Sequence, residues 1–289
     1  NSYNNYGWLN GIRNKNLKIV SGDIRDQNFC LEISKNVDFI FNLAALISIP
    51  YSYSSPESFL QTNIVGTYNI CLASKKNKIK RLVQISTSEV YGTAQYIPID
   101  EDHPKVPQSP YSASKISSDA IAQSFFYSFD LDVVIARPFN TFGPRQSLRA
   151  VIPTIIIQSL ENKKIILGNI YSRRDFTYVS DTCDGIYSLI KKSVKSGEVY
   201  NIGSKKHYSI KEVLDLVKNK IKNSPRLLIQ NKRIRPKNSE VDLLSCDYRK
   251  IKKATGFKPK LNFVQGLELT INWFKKNRHL YKDGNKYNI

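Results

Sequence analysis

The chain has 289 residues, 41% of them hydrophobic, which is a globular composition that supports a core in one large or two ordinary domains. Lysine and arginine outnumber aspartate and glutamate by 44 to 24, giving a formal net charge of +20, but the lysines are scattered without a long basic run. This favours a solvated surface or attraction to a phosphate-bearing small molecule over nucleic-acid binding.

Cysteine, histidine and hydropathy patterns exclude several kinds of site. The four cysteines form no close pair, so neither a zinc cluster nor a redox motif is indicated, and none of the three histidines stands in a nucleophile or metal pattern. No apolar segment approaches the roughly 18 residues of a membrane helix, and the chain does not start like a signal peptide. We expect a cytoplasmic protein without a metal, bound to neither membrane nor nucleic acid.

The first half of the chain alternates predicted strands and helices. Ser55, Pro56 and Glu57 start one helix with a capping side chain, a proline in the first turn and an acidic residue that complements the helix dipole. The alternation predicts a parallel, doubly wound α/β sheet. In chain order we expect a loop to residue 16, strand 17–20, helix 26–35, strand 38–42, helix 55–74, strand 82–85, helix 111–128 and strand 132–136.

The second half is less regular and predicts a smaller α/β domain laid over the first. Ser209 and Glu212 form a capping box at the start of an amphipathic helix. We expect helix 150–161, strands 164–167 and 175–179, helix 180–192, strand 198–202, helix 209–222, strand 226–230, and helices 247–254 and 263–276.

Polar or small residues follow four successive predicted strands. They are Asp23, residues 42–45, residues 86–89 and residues 138–141. The carboxyl ends of parallel strands share one edge of a sheet, and ligands bind there. The coincidence predicts a dinucleotide cleft.

A possible catalytic group stands at this edge. Tyr111 and Lys115 are four residues apart and therefore share one helix face, and Thr87 follows a buried strand. A tyrosine with its reference pKa of about 10 is a poor base at neutral pH. A nearby lysine ammonium and a nicotinamide cation would both lower the pKa of Tyr111, and Thr87 can donate to the same substrate oxygen. The alternative is an exposed helix that carries an unrelated tyrosine and lysine.

Charged residues add a carboxylate and several guanidinium groups. Glu89 lies close to Thr87 and is read as a functional carboxylate, although a glutamate at a strand end commonly faces water. Guanidinium groups bind phosphate oxygens bidentately, so a set of arginines suits a diphosphate, with Arg174 and Arg235 favoured. The set comprises Arg145, Arg149, Arg173, Arg174 and Arg235.

With these motifs in place, the chain resembles the extended short-chain dehydrogenase/reductase family, and in particular its NAD-dependent nucleotide-sugar epimerases and dehydratases. The similarity is greatest to 4,6-dehydratases of nucleotide-linked N-acetylglucosamine in legionaminic-acid-type pathways, through residues 91–114 and 140–153. The segments that carry the resemblance are 22–26, 42–45, 62–67, 86–92, 111–115, 137–140, 174–179 and 235–236.

The resemblance implies a Rossmann-type domain over 1–149 and 175–203, and a substrate domain over 150–174 and 204–289. The implied catalytic residues are Thr87, Ser88, Glu89, Tyr111 and Lys115. NAD would contact Asp23, Ile24, Leu43, Ala44, Ala45, Asn63, Ser86, Tyr111, Lys115 and Pro138, and a nucleotide-diphosphate sugar would contact Asn140, Arg149, Arg174 and Arg235. A homodimer through helices 56–74 and 111–128 is also implied.

The implied reaction begins with oxidation at C4 of the sugar, after which Glu89 removes the C5 proton, water leaves from C6 and hydride returns to C6. One departure concerns Ser88, because many 4,6-dehydratases carry an Asp–Glu pair after the threonine, whereas UDP-glucuronate decarboxylases of the family also carry Ser–Glu. A 4-epimerase would need only Thr87, Tyr111 and Lys115. These alternatives remain open at the level of sequence.

A second departure is the absence of any G-x-x-G-x-x-G or G-x-G-x-x-G in the sequence. The family opens with such a turn, which holds the cofactor pyrophosphate at a helix N-terminus. We therefore expect that the first βαβ elements of the sheet are lacking and that the chain is a fragment of the working enzyme. A non-catalytic NAD-binding module is the alternative if the truncation is real.

Overall fold

The computed structural model describes residues 6–161 and 164–281. Its helices and strands follow the predicted alternation closely. The helices are α1 (Gln27–Ile33), α2 (Ile49–Ser54), α3 (Pro56–Phe59), α4 (Gly66–Lys76), α5 (Pro110–Phe129), α6 (Val151–Leu160), α7 (Val179–Ser188), α8 (Ile210–Ile221), α9 (Arg249–Thr255) and α10 (Phe263–Lys276). The strands are β1 (Phe39–Asn42), β2 (Arg81–Ile85), β3 (Val133–Pro138), β4 (Asn140–Phe142), β5 (Ile165–Leu167), β6 (Arg173–Tyr178), β7 (Val199–Ile202), β8 (His207–Ser209) and β9 (Leu227–Ile229).

The main sheet is parallel, with strand order β1-β2-β3-β7. Successive residues of β2 serve opposite faces, as the alternation of side chains in a strand requires. Leu82 joins the apolar core beneath α1, α4 and α5, and Val83 joins the core on the opposite face beneath α7 and α9. The predicted doubly wound α/β architecture is confirmed.

A second core lies among α6, α8 and α10 and two small sheets. Strands β4, β6 and β8 form one of these sheets, and β5 pairs with β9 in the other. The isoleucines of α6 are buried in this core together with Phe263 and Phe274 of α10. Two cores agree with a two-domain reading, and the domain bounds given above stay a prediction.

The segment before α1 differs from its prediction. Residues 17–20 do not form a strand, and Leu17 and Val20 are 41% and 44% exposed. The prediction was wrong because an apolar run becomes a strand only when its backbone pairs with a neighbour, and no strand of the described residues lies beside this segment. The predicted loop over 1–16 contains a short 3₁₀ turn, Gly7–Leu9, and its first five residues lie outside the described ranges.

The helix predicted over 55–74 starts at Pro56, as expected, but does not run on as one regular helix. A π-helical stretch, Leu60–Val65, connects α3 to α4. π-helical turns inside α-helices are rare and often accompany functional sites. Here the stretch contains Asn63, one of the residues expected to contact the cofactor. Helix α2 and the short strands β4 and β8 were not predicted.

Candidate active site

The start of α5 places Tyr111 and Lys115 side by side. Ser109 caps this helix: its hydroxyl oxygen accepts from the Ser112 N–H at 3.1 Å, while the Ser112 hydroxyl oxygen accepts from the Ser109 N–H at 2.9 Å. Pro110 occupies the first turn. The face that carries both predicted residues points inward, because Tyr111 is only 7% and Lys115 only 3% exposed. The tyrosine and the lysine therefore form a buried pair next to β2.

Lys115 is held by the last residue of β2. Its Nζ donates a hydrogen bond to the carbonyl oxygen of Ile85 at 2.6 Å. Burial lowers the pKa of Lys115 to about 8, and the charge of Asp119 acts in the opposite direction. Lys115 is thus a cation that gives up its proton in the mildly alkaline range.

Tyr111 lies in an apolar setting that favours its neutral form. Burial raises the pKa of Tyr111, a hydrogen bond with Thr87 lowers it, and the charge of Glu89 raises it again. Its ring packs edge-to-face on Phe59, with 6.2 Å between the ring centroids. The lowered pKa expected from the sequence is therefore not produced by the protein's own groups. Burial is the largest influence on the pKa of Tyr111, and burial also lowers the pKa of Lys115.

The turn after β2 supplies the hydroxyl and carboxyl groups. Thr87 is extended and caps a 3₁₀ turn, Ser88–Tyr91, with its hydroxyl oxygen accepting from the Glu89 N–H at 3.2 Å. Ser88 and Glu89 are 2% and 8% exposed. Gly92 ends the turn at a φ of 64°, a left-handed conformation that glycine adopts without a steric penalty. Thr87 and Glu89 are brought to Tyr111, as predicted.

A buried polar network next to the tyrosine and lysine was missed from the sequence. Asp119 Oδ2 accepts from Ser86 Oγ at 2.9 Å and from Arg137 Nη2 and Nε at 2.9 and 3.1 Å. Arg137 Nη1 donates to the Tyr91 hydroxyl at 2.9 Å, and that hydroxyl donates to Asn201 Oδ1 at 2.7 Å. The network joins α5 to the ends of β2, β3 and β7, so it fixes the strand ends that carry the candidate site.

Glu89 and three charged side chains around it form what we name the Glu–Arg cluster: Glu89, Arg174, Arg235 and Glu240. Arg174 Nε lies 3.9 Å from Glu89 Oε1, and Arg235 Nη1 lies 3.8 Å from Glu89 Oε2. Glu240 Oε1 lies 3.4 Å from Arg174 Nη2 and 3.9 Å from Arg235 Nη1. Their side chains are between 6% and 25% exposed. The structure thus unites three predicted residues and adds Glu240, which no motif indicated.

Two further residues expected to contact substrate differ from each other. Asn140 opens β4, and its buried Oδ1 has no hydrogen-bond partner within the described residues. A buried acceptor left unpaired is costly, so Asn140 suits a role in binding a polar ligand. Arg149 is exposed before α6, and its N–H donates to Ser147 Oγ at 3.3 Å. No ion pair in the described ranges connects Arg149 to the Glu–Arg cluster.

Asp23 and Ile24, two of the residues expected to contact NAD, lie in the turn before α1. Asp23 is partly exposed and binds Arg25, with 2.6 Å between Oδ2 and Nη2. The hydrogen bond from Arg25 lowers the pKa of Asp23. The Ile24 carbonyl oxygen accepts from Asn69 Nδ2 of α4 at 2.9 Å. Asp23 was expected to follow a strand, but it lies instead in a turn that is hydrogen-bonded to α4.

The loop after β1 is fixed through Asn63. Asn63 Oδ1 accepts from the Leu46 N–H at 2.8 Å, and Asn63 Nδ2 donates to the Leu46 carbonyl oxygen at 3.0 Å and to Ser114 Oγ at 2.9 Å. Residues 43–45 precede this anchor, and Leu43 is 64% exposed. Asn63 uses its amide to hold this loop against α5.

The described residues fit the nicotinamide and ribose part of NAD, the cofactor that the resemblance implies. Residues 43–45, Ser86 and Pro138 stand at the carboxyl ends of three adjacent parallel strands, where dinucleotides bind in such sheets. Ala44 and Ala45 carry only methyl side chains, which allow a ligand to approach this loop closely. We assign no residue to the cofactor diphosphate, since the sequence has no glycine-rich turn.

The described part of the chain contains neither a membrane-spanning helix nor a group of metal-ligating side chains. In residues 6–161 and 164–281, no helix is both long enough and apolar enough to cross a bilayer. No three His, Cys, Asp or Glu side chains within those ranges group as metal ligands would.

Cys30, Cys71 and Cys246 are buried free thiols, and Cys183 is an exposed one.

The sequence matches one family model over most of its length. The model is that of GDP-mannose 4,6 dehydratase, and the match covers residues 2–270. A human dTDP-D-glucose 4,6-dehydratase is 31% identical over 287 residues, which cover 96% of this chain and 81% of the human protein. A dTDP-glucose 4,6-dehydratase from Streptomyces niveus is 31% identical over 265 residues, 91% of this chain and 78% of that protein.

Solved structures are similar over the same extent. DesIV, a dTDP-glucose 4,6-dehydratase from Streptomyces venezuelae solved with NAD bound, superposes with a TM-score of 0.86 at 28% identity, covering 93% of this chain and 83% of DesIV. A UDP-glucuronic acid 4-epimerase from Bacillus cereus, in complex with UDP-glucuronic acid and NAD, superposes with a TM-score of 0.86 at 27% identity and the same two coverages. Dehydratases and epimerases are thus both among the structural relatives.

Proposed function

This chain belongs to the GDP-mannose 4,6-dehydratase family, and we propose that it is a 4,6-dehydratase of UDP- or GDP-linked N-acetylglucosamine. Members of the family are NAD-dependent nucleotide-sugar dehydratases and epimerases of the extended short-chain dehydrogenase/reductase type. The observation that carries the proposal is the position of Glu89. This carboxylate is buried beside Tyr111, close enough for its charge to affect the phenol. A dehydratase needs such a group to take a proton from carbon, whereas a 4-epimerase does not.

In the first step, Tyr111 takes the proton of the sugar's 4-hydroxyl. Thr87, whose hydroxyl lies close enough to the phenol to lower the pKa of Tyr111, is proposed to orient that sugar hydroxyl. Tyr111 must be a phenolate to accept this proton and becomes a neutral phenol on doing so; the positive charge of Lys115, together with that of a bound nicotinamide, would stabilise the phenolate before the transfer. Bound NAD would supply the hydride chemistry, as acceptor for the oxidation at C4 and donor for the reduction at C6.

In the second step, Glu89 takes the proton from C5, which the new C4 ketone has acidified. Elimination then breaks the C6–O bond, and the hydroxyl leaves as water with a second proton, which over the whole cycle balances the one that Tyr111 took from the 4-hydroxyl. The proton held by Glu89 returns to C5 when C6 is reduced, so the net change is the loss of one water. Ser88 is buried beside Glu89 at the position where many 4,6-dehydratases carry an aspartic acid, and we assign no acid for the leaving hydroxyl.

We propose that the substrate is bound by residues of the small sheets beside the second core and of the loops next to them. We propose that Arg174 and Arg235 bind the diphosphate, because guanidinium groups match phosphate oxygens bidentately. Asn140 offers its unpaired Oδ1 to a sugar hydroxyl. Arg149, exposed in the segment between β4 and α6, is proposed to contact the nucleotide.

The test is to incubate the protein and NAD separately with UDP-N-acetylglucosamine, GDP-N-acetylglucosamine and dTDP-glucose. A 4-keto-6-deoxy product, identified by mass spectrometry as a loss of water, is expected from an N-acetylglucosamine nucleotide. Turnover of dTDP-glucose alone would contradict the proposed sugar but keep the reaction. Formation of only the galacto epimer would contradict the dehydratase.

UDP-glucuronate chemistry is the second candidate. It is favoured by Ser88, which stands before Glu89 as in decarboxylases of the family, and by the similarity to the Bacillus cereus epimerase. C4 oxidation of UDP-glucuronate gives a β-keto acid that loses carbon dioxide. Release of carbon dioxide from UDP-glucuronate would identify a decarboxylase, and the galacturonate product would identify an epimerase.

We also propose a homodimer through the surface formed by α3, the π-helical stretch, α4 and α5. Large apolar side chains are exposed on these helices, among them Leu60 at 48%, Tyr68 at 40% and Phe129 at 47%. Exposed apolar surface of this kind often marks an interface. Sedimentation that gives a monomer at micromolar concentration would contradict this proposal.

A further inference from the structure

In the Glu–Arg cluster, residues proposed for two different tasks bind each other. Glu89 is proposed to take a proton from the sugar, while Arg174 and Arg235 are proposed to bind the diphosphate. The two contacts of Glu89 with these arginines measure 3.9 and 3.8 Å, which is within ion-pair range but longer than a hydrogen bond. The contacts between Glu89 and the two arginines are therefore long, and a better hydrogen-bond acceptor can replace Glu89 on them.

The charges of the cluster balance without any ligand. Two guanidinium groups face two carboxylates, Glu89 and Glu240, and Tyr111 is the other titratable group beside Glu89. Burial lowers the pKa of Arg174, and the charge of Glu89 opposes that effect. The two carboxylates thus help to keep a buried guanidinium group charged.

One donor in the cluster is available to a stronger acceptor. Arg235 Nη1 is buried and makes no hydrogen bond to any residue that the structure describes. Phosphate oxygens accept short, charge-assisted hydrogen bonds from guanidinium groups. A diphosphate placed here would compete with both carboxylates for the same two arginines.

We infer that Glu89 and Glu240 pair with Arg174 and Arg235 only until substrate binds. The substrate diphosphate then replaces both carboxylates on the two arginines, and Glu89 becomes free to contact the sugar. The inference rests on the proposed function and adds a coupling to it. The carboxylate that acts on C5 becomes available only when the nucleotide is in place. Glu240 acts as a positioning residue, because it keeps the arginines oriented between turnovers.

The coupling is tested by calorimetric titration of dTDP, UDP and GDP into the wild-type chain and the variants Glu89→Gln and Glu240→Gln. Removal of a competing carboxylate is expected to tighten binding of a nucleoside diphosphate about tenfold, equivalent to about 1.4 kcal/mol. The matching nucleosides, which lack phosphate, should gain nothing. Glu268→Gln is the control, since Glu268 pairs with Lys220 at 2.8 Å on the exposed surface and loses the same charge.

Unchanged or weaker diphosphate binding in both cluster variants, with circular dichroism showing that they are folded, would overturn the inference alone. An equal gain in Glu268→Gln would also overturn it, because the effect would then reflect net charge. Failure of every form of the chain to bind any nucleoside diphosphate would overturn the proposed function and the inference with it.

Discussion

Replacement of Asp119 by asparagine is expected to destabilise the folded chain strongly. Asp119 is 0% exposed and Arg137 is 2% exposed, and their ion pair measures 2.9 Å. The variant keeps the shape of the side chain but leaves the Arg137 guanidinium without a counter-charge in the protein interior. Breaking one partner of such a buried pair costs about 3–5 kcal/mol.

The structure places the Asp119 variant near the middle of this range. Asp119 Oδ2 accepts three hydrogen bonds, two from Arg137 and one from Ser86, and all three weaken when the carboxylate becomes an amide. The Tyr91 hydroxyl is the remaining acceptor for Arg137, and it is neutral. We therefore expect a loss of about 4 kcal/mol in the free energy of unfolding.

The assay is urea unfolding followed by circular dichroism, in which the midpoint should fall while the slope m stays near its wild-type value. The control is Asp38→Asn, which removes a carboxylate from an exposed pair with Lys80 and should leave stability unchanged. The double variant Asp119→Leu with Arg137→Met removes both charges and should lose about 2 kcal/mol less than the sum of the single changes. A loss in Asp119→Asn no greater than in the control would refute this reasoning.

Three further predictions concern activity. Tyr111→Phe should lower kcat by about 10²–10⁴, because it removes the proton acceptor, while Tyr187→Phe, at a 66% exposed tyrosine of α7, should not. Equal kcat values for the wild type and Tyr111→Phe in steady-state assays would exclude Tyr111 as the base. Burial places the pKa of Lys115 at about 8, so its charge is present below that pH and lost as pH rises through it. The pH profile of kcat/KM should therefore fall with an apparent pKa near 8, and Lys115→Arg should move the fall upward, with an unmoved limb assigning it to another group. Asn63→Ala, which frees the loop after β1, should weaken NAD binding in fluorescence titrations about tenfold, whereas Asn77→Ala, which removes an equivalent amide bridge elsewhere, should bind NAD normally.

The parts of the site that the sequence predicts are those set by local signals. Ser109 and Pro110 define where α5 begins, and the helical period then puts Tyr111 and Lys115 on one face. The end of β2 follows from its apolar run, so the position of Thr87 was also predictable. These features depend on residues that are near neighbours in the chain, and the structure confirms them.

The parts that the sequence does not predict depend on contacts between distant segments. Glu240 reaches Arg174 only because the loop after β9 folds back across β6, and no spacing in the sequence reports that path. Asp119 follows Lys115 by one helical turn, but its role depends on Arg137 from another element. The raised pKa of Tyr111 likewise comes from burial, which depends on the complete tertiary structure.

Strand β1 has a consequence for handling the protein. It lies at one end of the main sheet and pairs only with β2 among the strands of the described residues. Phe39 on β1 is 39% exposed, and Ile47 in the loop beyond it is 70% exposed. An uncovered strand edge with apolar neighbours is a template for aggregation. Concentrated solutions of this chain are therefore prone to self-association, and a lysine at position 47 is the change we would make first to improve solubility.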